Sequence, residues 1–273
     1  MRKVKRFLLF FRYCHPWYYP NGILILAALC IYEIASRARW CRPLVVMMSR
    51  HSVVVRLAGQ RFSTPFFPGD LGVIFDCFIG DMYGTDPRFV PAQGFTCLDI
   101  GANIGAVSAR WCATNSRGTI IAVEPHPHTF ARLVRNKRLN NWDNVECVNA
   151  AISSCSGKVS IDLSQALTMA VIGNTTCGSE EVASLTLDDL VRSRGIDIIH
   201  LCKIDVEGHE DEVLRGAAWS LPRIERLVLE FHSRELRDAV ISRLENNFEI
   251  VRETQGKIGL IFAVNKGAGL HGS

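Results

Sequence analysis

Among the ten cysteines of this chain there is no C-x-x-C pair, and no Cys/His cluster has zinc-ligand spacing. A zinc ribbon and a thioredoxin-type redox pair are excluded. Scattered thiols of this kind suit a reducing, cytoplasmic setting. A dense basic face is also missing. The 31 Lys and Arg residues stand against 27 acids, a net charge of +4, which argues against a dedicated nucleic-acid binder. No apolar run reaches the roughly 20 residues that a membrane span requires. The uncharged stretch from Gly22 to Tyr32 is ended by Glu33. Arg12 and His15 interrupt the apolar core that a signal peptide would need. Internal repeats and long low-complexity segments are absent as well. So is the third glycine of G-x-G-x-x-G, which a pyrophosphate-binding turn requires.

At 273 residues, 48% of them apolar and 21% charged, the chain has the size and make-up of one large globular domain with an N-terminal extension. We place the extension at residues 1–52, a β-rich lead-in at 53–90 and the main domain at 91–268. Arg2, Lys3, Lys5 and Arg6 precede a cluster of aromatics that includes Phe7, Tyr13, Trp17 and Tyr18. Three readings stay open for residues 1–35: a helix packed on the main domain, contact with the inner membrane surface through basic and aromatic side chains, or a cleaved or spanning segment.

From Thr96 the chain alternates strand and helix. Strands are expected at 96–100, 119–123, 145–151, 199–206 and 226–231, and a closing hairpin at 248–252 and 260–264. Helices are expected from Ile104, His128, Leu185, Glu210 and around Val240. Alternation of this kind builds an α/β fold. Its mostly parallel seven-stranded sheet carries helices on both faces and a terminal antiparallel strand. Residues 164–182 are polar and irregular, without a readable pattern.

Two strand ends carry the first chemical signal. Leu98-Asp-Ile-Gly-Ala-Asn-Ile-Gly105 is an apolar strand ending in an acid and entering a tight glycine turn. About 20 residues further on, a second strand ends in Glu124-Pro125, the distance at which an acid takes ribose hydroxyls. Asp99 would repel a pyrophosphate. It suits S-adenosylmethionine, which is cationic, hydroxylated and phosphate-free.

In open α/β sheets ligands lie beyond the carboxyl ends of the strands. Lys203, Asp205 and Glu207 alternate with Ile204 and Val206, so three ionisable groups share one face there. The carboxylates could act as a general base toward a hydroxyl, could hold a divalent cation, or could pair with Lys203 to close the sheet edge. Glu230 and His232 end the next strand, and His232 is a candidate base. No metal is assigned to the histidines.

These segments resemble the FkbM family of S-adenosylmethionine-dependent methyltransferases. The resemblance rests on Asp99–Gly105, Val123-Glu-Pro125, Asn149-Ala-Ala151, Ser184–Leu190, Lys203-Ile-Asp-Val-Glu-Gly208 and Val228–His232. It implies a class I methyltransferase (Rossmann-like) fold and methyl transfer to oxygen on sugars, glycolipids or secondary metabolites. It also implies that Asp99, Gly101, Asn103 and Gly105 line the methionine side, with Glu124 and Pro125 at the ribose. Asn149 and Ala150 would lie by the adenine, and Asp205 and Glu207 would face the acceptor. His209 departs from the family, which favours a small residue there, and places the acceptor pocket in doubt. The expected partner is a small-molecule or glycan acceptor, and the expected location is cytoplasmic, peripheral at the membrane if the extension binds it. Two rival readings are a nicotinamide-dependent oxidoreductase and a membrane-associated scaffold that binds the cofactor without catalysis.

Overall fold

The computed structural model describes residues 52–65, 73–74, 76–78, 82–83, 86–162, 171–172 and 179–267. Residues 1–51 of the extension and most of the irregular 164–182 segment lie outside the described residues. The chain divides into two compact units, Met1–Met82 with Arg135–Asn141, and Tyr83–Val134 with Trp142–Ser273.

In the first unit, β1 (Ser52–Leu57) and β2 (Gln60–Pro65) form an antiparallel hairpin. Asn136 and Asn140 accept from the backbone amides of Ser63 and Arg61 at 2.7 Å, which satisfies donors that an isolated ribbon would leave open. Within the span read as a β-rich lead-in, residues 73–74 and 76–78 are helical.

The second unit is built on β3 (Thr96–Ile100), β4 (Thr119–Val123), β5 (Val145–Val148), β10 (Leu201–Ile204), β11 (Arg226–Phe231), β12 (Phe248–Glu253) and β13 (Gly259–Asn265). These pair in the order β12-β13-β11-β10-β3-β4-β5. Five strands from β11 to β5 run parallel, and the terminal strand β13 is antiparallel to both β11 and β12. The chain steps outward from β3 through β4 to β5, then returns to start again at β10 beside β3. The order therefore reverses at the β3/β10 seam, where a crevice is expected.

Helix α1 (Ala106–Thr114) follows β3 and α2 (Pro127–Asn140) follows β4. Helices α3 (Leu187–Arg192), α4 (Glu210–Arg215) and α5 (Arg234–Leu244) form the other layer. Strand alternation sorts the faces. Leu98, Ile100, Cys202, Ile204, Leu227 and Leu229 pack with Leu187, Val213 and Val240 of the second layer. Asp99, one residue out of phase, touches Ser108 of α1 on the opposite face.

One expected element is split. The strand read at 145–151 leaves the main sheet after Val148. Ala151-Ile152 then forms β6, which joins a second sheet of order β6-β9-β7-β8, with β7 at Gly157–Asp162, β8 at Val171–Ile172 and β9 at Ser179–Leu185. Asn149 and Ala150 occupy the break. Asn149 Nδ2 donates to the carbonyls of Glu124 and Pro125 at 2.8 and 3.1 Å, tying the ends of β4 and β5 together.

Candidate active site

The glycine turn after β3 leaves the sheet at the seam. Gly101 has φ +77°, and a Cβ there would lie 1.8 Å from the Asp205 carbonyl oxygen. Backbone of β3 thus presses on backbone of β10, and only glycine permits both the conformation and the approach. Gly105 has φ +88°, and a Cβ would meet Leu133 and Trp142 at 2.7 and 3.0 Å. Its smallness serves helix packing.

Every amide of this turn has an internal acceptor. Gly101 and Ala102 donate to the Val123 carbonyl, and Gly105 to Ala102. Ile104 N donates to Asn103 Oδ1, and Asn103 N to Glu124 Oε2 at 2.9 Å. Asn103 manages this with φ +51°, a left-handed conformation Asn tolerates better than most residues. Asp99 Oδ2 takes the Ser108 amide and hydroxyl at 3.1 and 2.7 Å in the first turn of α1. No amide of 101–105 is left to cradle a pyrophosphate, so the nicotinamide reading loses its anchor.

Asp99 is fully buried, with Lys203 Nζ 3.4 Å from its Oδ1. Its expected place lining the methionine side becomes a place beneath the turn, holding the start of α1. Lys203, itself buried, donates to the Gly101 carbonyl at 2.6 Å and lies 3.4 Å from Asp205 Oδ2. Lys203 thus pairs with carboxylates at the ends of both β3 and β10.

Glu124 ends β4 with its carboxylate turned back toward the turn. Oε2 accepts from Asn103 N, and Oε1 accepts from His126 N at 2.9 Å. Burial pushes its pKa up to about 7, against those two amides. Each oxygen keeps a further lone pair, so ribose hydroxyls can still donate to it. Pro125 is half-buried beside it, and Ala150 is buried across the gap.

On the other side of the seam, Asp205 and Glu207 follow β10 in a turn where Glu207 has φ +53°. His232 ends β11. Its Nε2 lies 3.1 Å from Glu207 Oε2 and 3.9 Å from Asp205 Oδ1, and its Nδ1 lies 2.8 Å from Glu210 Oε1. Burial disfavours the imidazolium, but hydrogen bonds with Glu207 and Glu210 outweigh it and lift the pKa to about 10. Both ring nitrogens face carboxylates, which favours the charged imidazole. These contacts pair His232 with the acids and weigh against its expected role as a base.

Three residues of this edge escaped the sequence reading. Tyr83, buried ahead of the main domain, donates its hydroxyl to Glu230 Oε2 at 3.1 Å and Asp205 Oδ2 at 3.3 Å. Burial first, and the neighbouring Asp205 charge second, raise Glu230 to about 7. Glu210 reads in sequence as an ordinary first-turn acid of a helix, and Ser108 as a small residue inside one. His209 Nε2 lies 2.9 Å from Ser153 Oγ. Burial lowers its pKa.

A parallel sheet reversing at β3/β10, with a ribose-seeking acid on one side and a carboxylate-rich edge on the other, is the arrangement of a Rossmann-like class I methyltransferase domain. Residues 99–254 match the Methyltransferase FkbM domain, more than half of the chain. The chain belongs to the FkbM family of S-adenosylmethionine-dependent methyltransferases. It is 32% identical over 135 residues to the hexuronic acid methyltransferase AglP of Haloferax volcanii, covering 50% of this chain and 55% of that protein. It is 25% identical over 179 residues to the 2-O-methyltransferase NoeI of Sinorhizobium fredii, covering 57% of this chain and 73% of that one. The match thus spans little more than half the length of the archaeal relative. Among the described residues, no helix is long and apolar enough to cross a membrane.

Proposed function

We propose that the protein transfers the methyl group of S-adenosylmethionine to an oxygen of a sugar or sugar-like acceptor. The observation that carries this reading is the pairing, across one backbone contact at Gly101 and Asp205, of the Glu124 edge with the Asp205/Glu207 edge. Glu124, Pro125, Asn149 and Ala150 hold the nucleoside, with Asn103 orienting Glu124. Gly101 and Gly105 shape the methionine side, and Asp99 braces it from below. The acceptor hydroxyl enters over Asp205. Its oxygen attacks the methyl carbon in line with the sulfonium sulfur, the C–S bond breaks, and the proton passes to the carboxylate edge.

Alignment is the main contribution, because the sulfonium methyl is already activated. It supplies up to about 7–11 kcal/mol in favourable cases. Lys203 and Tyr83 hold Asp205 Oδ2 in place for the proton. Support for a sugar acceptor comes from the two relatives, one acting on hexuronic acid and one described as a 2-O-methyltransferase. The test is incubation with isotopically labelled cofactor and host-cell extract, followed by identification of the labelled product. Label in a saccharide supports the assignment, and label confined to protein, nucleic acid or unreacted cofactor overturns it.

The basic and aromatic residues within 1–35 support contact with the cytoplasmic membrane face as part of this reading. Flotation of the full chain with anionic vesicles, compared with a chain beginning at Val53, tests it. Equal behaviour of the two removes the idea.

A further inference from the structure

We propose that Asp205, Glu207 and His232 form a binding site for a divalent metal ion at the acceptor end of the sheet. One ligand atom from each lies within 4.8 Å of the others. Residues 205 and 207 follow β10, and residue 232 follows its neighbour β11, so strand pairing alone brings the three together. The imidazole presents Nε2 to Glu207 Oε2 and Asp205 Oδ1. One nitrogen and two carboxylate oxygens therefore surround a single point.

The support behind His232 is of the kind metal-binding imidazoles have. Its far nitrogen, Nδ1, is held by Glu210 at 2.8 Å, which sets the ring orientation and frees Nε2 for an ion. Glu210 provides a second, separate observation. It is fully buried, and its Oε2 has no hydrogen-bond partner. A buried carboxylate with an open oxygen is costly unless positive charge lies close by. Among the described residues the cations at hand are too few. Asp99, Asp205, Glu207 and Glu210 are four carboxylates around the two cations Lys203 and His232, an excess of two negative charges before Glu230 is counted. A divalent ion on Nε2, in place of the proton now shared with Glu207, adds one net positive charge and halves that excess.

The donor set selects the ion. Imidazole with two carboxylates suits Mn²⁺, Fe²⁺ or Zn²⁺ better than Ca²⁺, which takes oxygen ligands. Three protein ligands leave positions open for water and for an acceptor oxygen. If the methyl transfer proposed above is right, an ion there would draw in the acceptor hydroxyl and ease loss of its proton. It would also admit a sugar bearing a carboxylate, which the acidic edge alone repels.

Binding is measured without cofactor or acceptor, so its outcome is separate from that of the methyl-transfer reading. The full chain is titrated with Mn²⁺ by calorimetry and by electron paramagnetic resonance. One bound ion per chain is expected, with a pulsed-resonance signature of one imidazole nitrogen. His232→Gln removes that nitrogen signal. Glu210→Gln keeps all three ligands and weakens binding by about 10–100-fold. Asp238→Asn, at an exposed acid on α5, leaves affinity unchanged. Circular dichroism of each variant verifies folding. Absence of binding at millimolar Mn²⁺ overturns the site. So does bound Mn²⁺ without nitrogen coupling, or equal affinity in folded Glu210→Gln.

Discussion

Replacing Gly101 by alanine tests the seam directly, because a second glycine serves as its control. Gly94 and Gly101 both have left-handed backbone, with φ +85° and +77°. A methyl group at Gly94 meets no atom within 4 Å, whereas at Gly101 it falls 1.8 Å from the Asp205 carbonyl oxygen and 2.9 Å from its carbon. Both substitutions carry the left-handed cost of an L residue, about 1–2 kcal/mol. Only Gly101→Ala adds overlap with backbone that cannot rotate away, about 1–3 kcal/mol for an overpacked site. The difference expected between the variants is therefore about 1–3 kcal/mol. At about 2–4 °C per kcal/mol for a chain of this size, the gap in Tm is roughly 2–12 °C. The same overlap displaces Asp205 and the turn that carries Asn103, so cofactor affinity should fall in Gly101→Ala alone. Thermal denaturation and calorimetry with S-adenosylmethionine measure both effects. Equal Tm values for the two variants, with unchanged cofactor binding, would refute the claim that β3 and β10 press together here.

The other predictions concern charge. Glu124 has its folded pKa raised from 4.5 to about 7 by burial, so its contribution to stability is full below about 4.5 and is lost as pH rises through about 7. Ribose hydroxyls need the ionised form, so cofactor affinity runs the other way. Calorimetry should show it weakening about tenfold per pH unit below about 7 and level above, and a flat profile would remove Glu124 from the ribose. Asp205→Asn should leave cofactor affinity intact and slow turnover by about 10²–10⁴-fold, as read in single-turnover assays with labelled cofactor. Lys203→Met strands Asp99 without its buried cation and should cost about 3–5 kcal/mol in denaturant unfolding, with a cost near zero counting against the pairing.

Much of the fold was legible because strands and helices have distinct periods. Strands 96–100, 119–123 and 226–231 were read to the residue, since each is a short apolar run bounded by turn formers. The strand after α2 was misread as continuous because Asn149 and Ala150 interrupt pairing without interrupting the hydrophobic pattern. The contact of His232 with Glu210, 22 residues away, is not legible in its sequence neighbours. Tyr83 was missed for the same reason. Its partners Asp205 and Glu230 lie 122 and 147 residues further along the chain.

What the amino-acid order determined by itself was local. Glycines at 101 and 105, acids closing strands, and alternation in Lys203-Ile-Asp-Val-Glu are properties of neighbouring residues, and they sufficed for the family and the cofactor. Only the tertiary structure decided which partner each acid meets. Whether a carboxylate is spent on an amide, a lysine or an imidazole depends on which strand lies beside it. Strand adjacency in a parallel sheet is settled by packing over a hundred residues of separation, and no short motif records it.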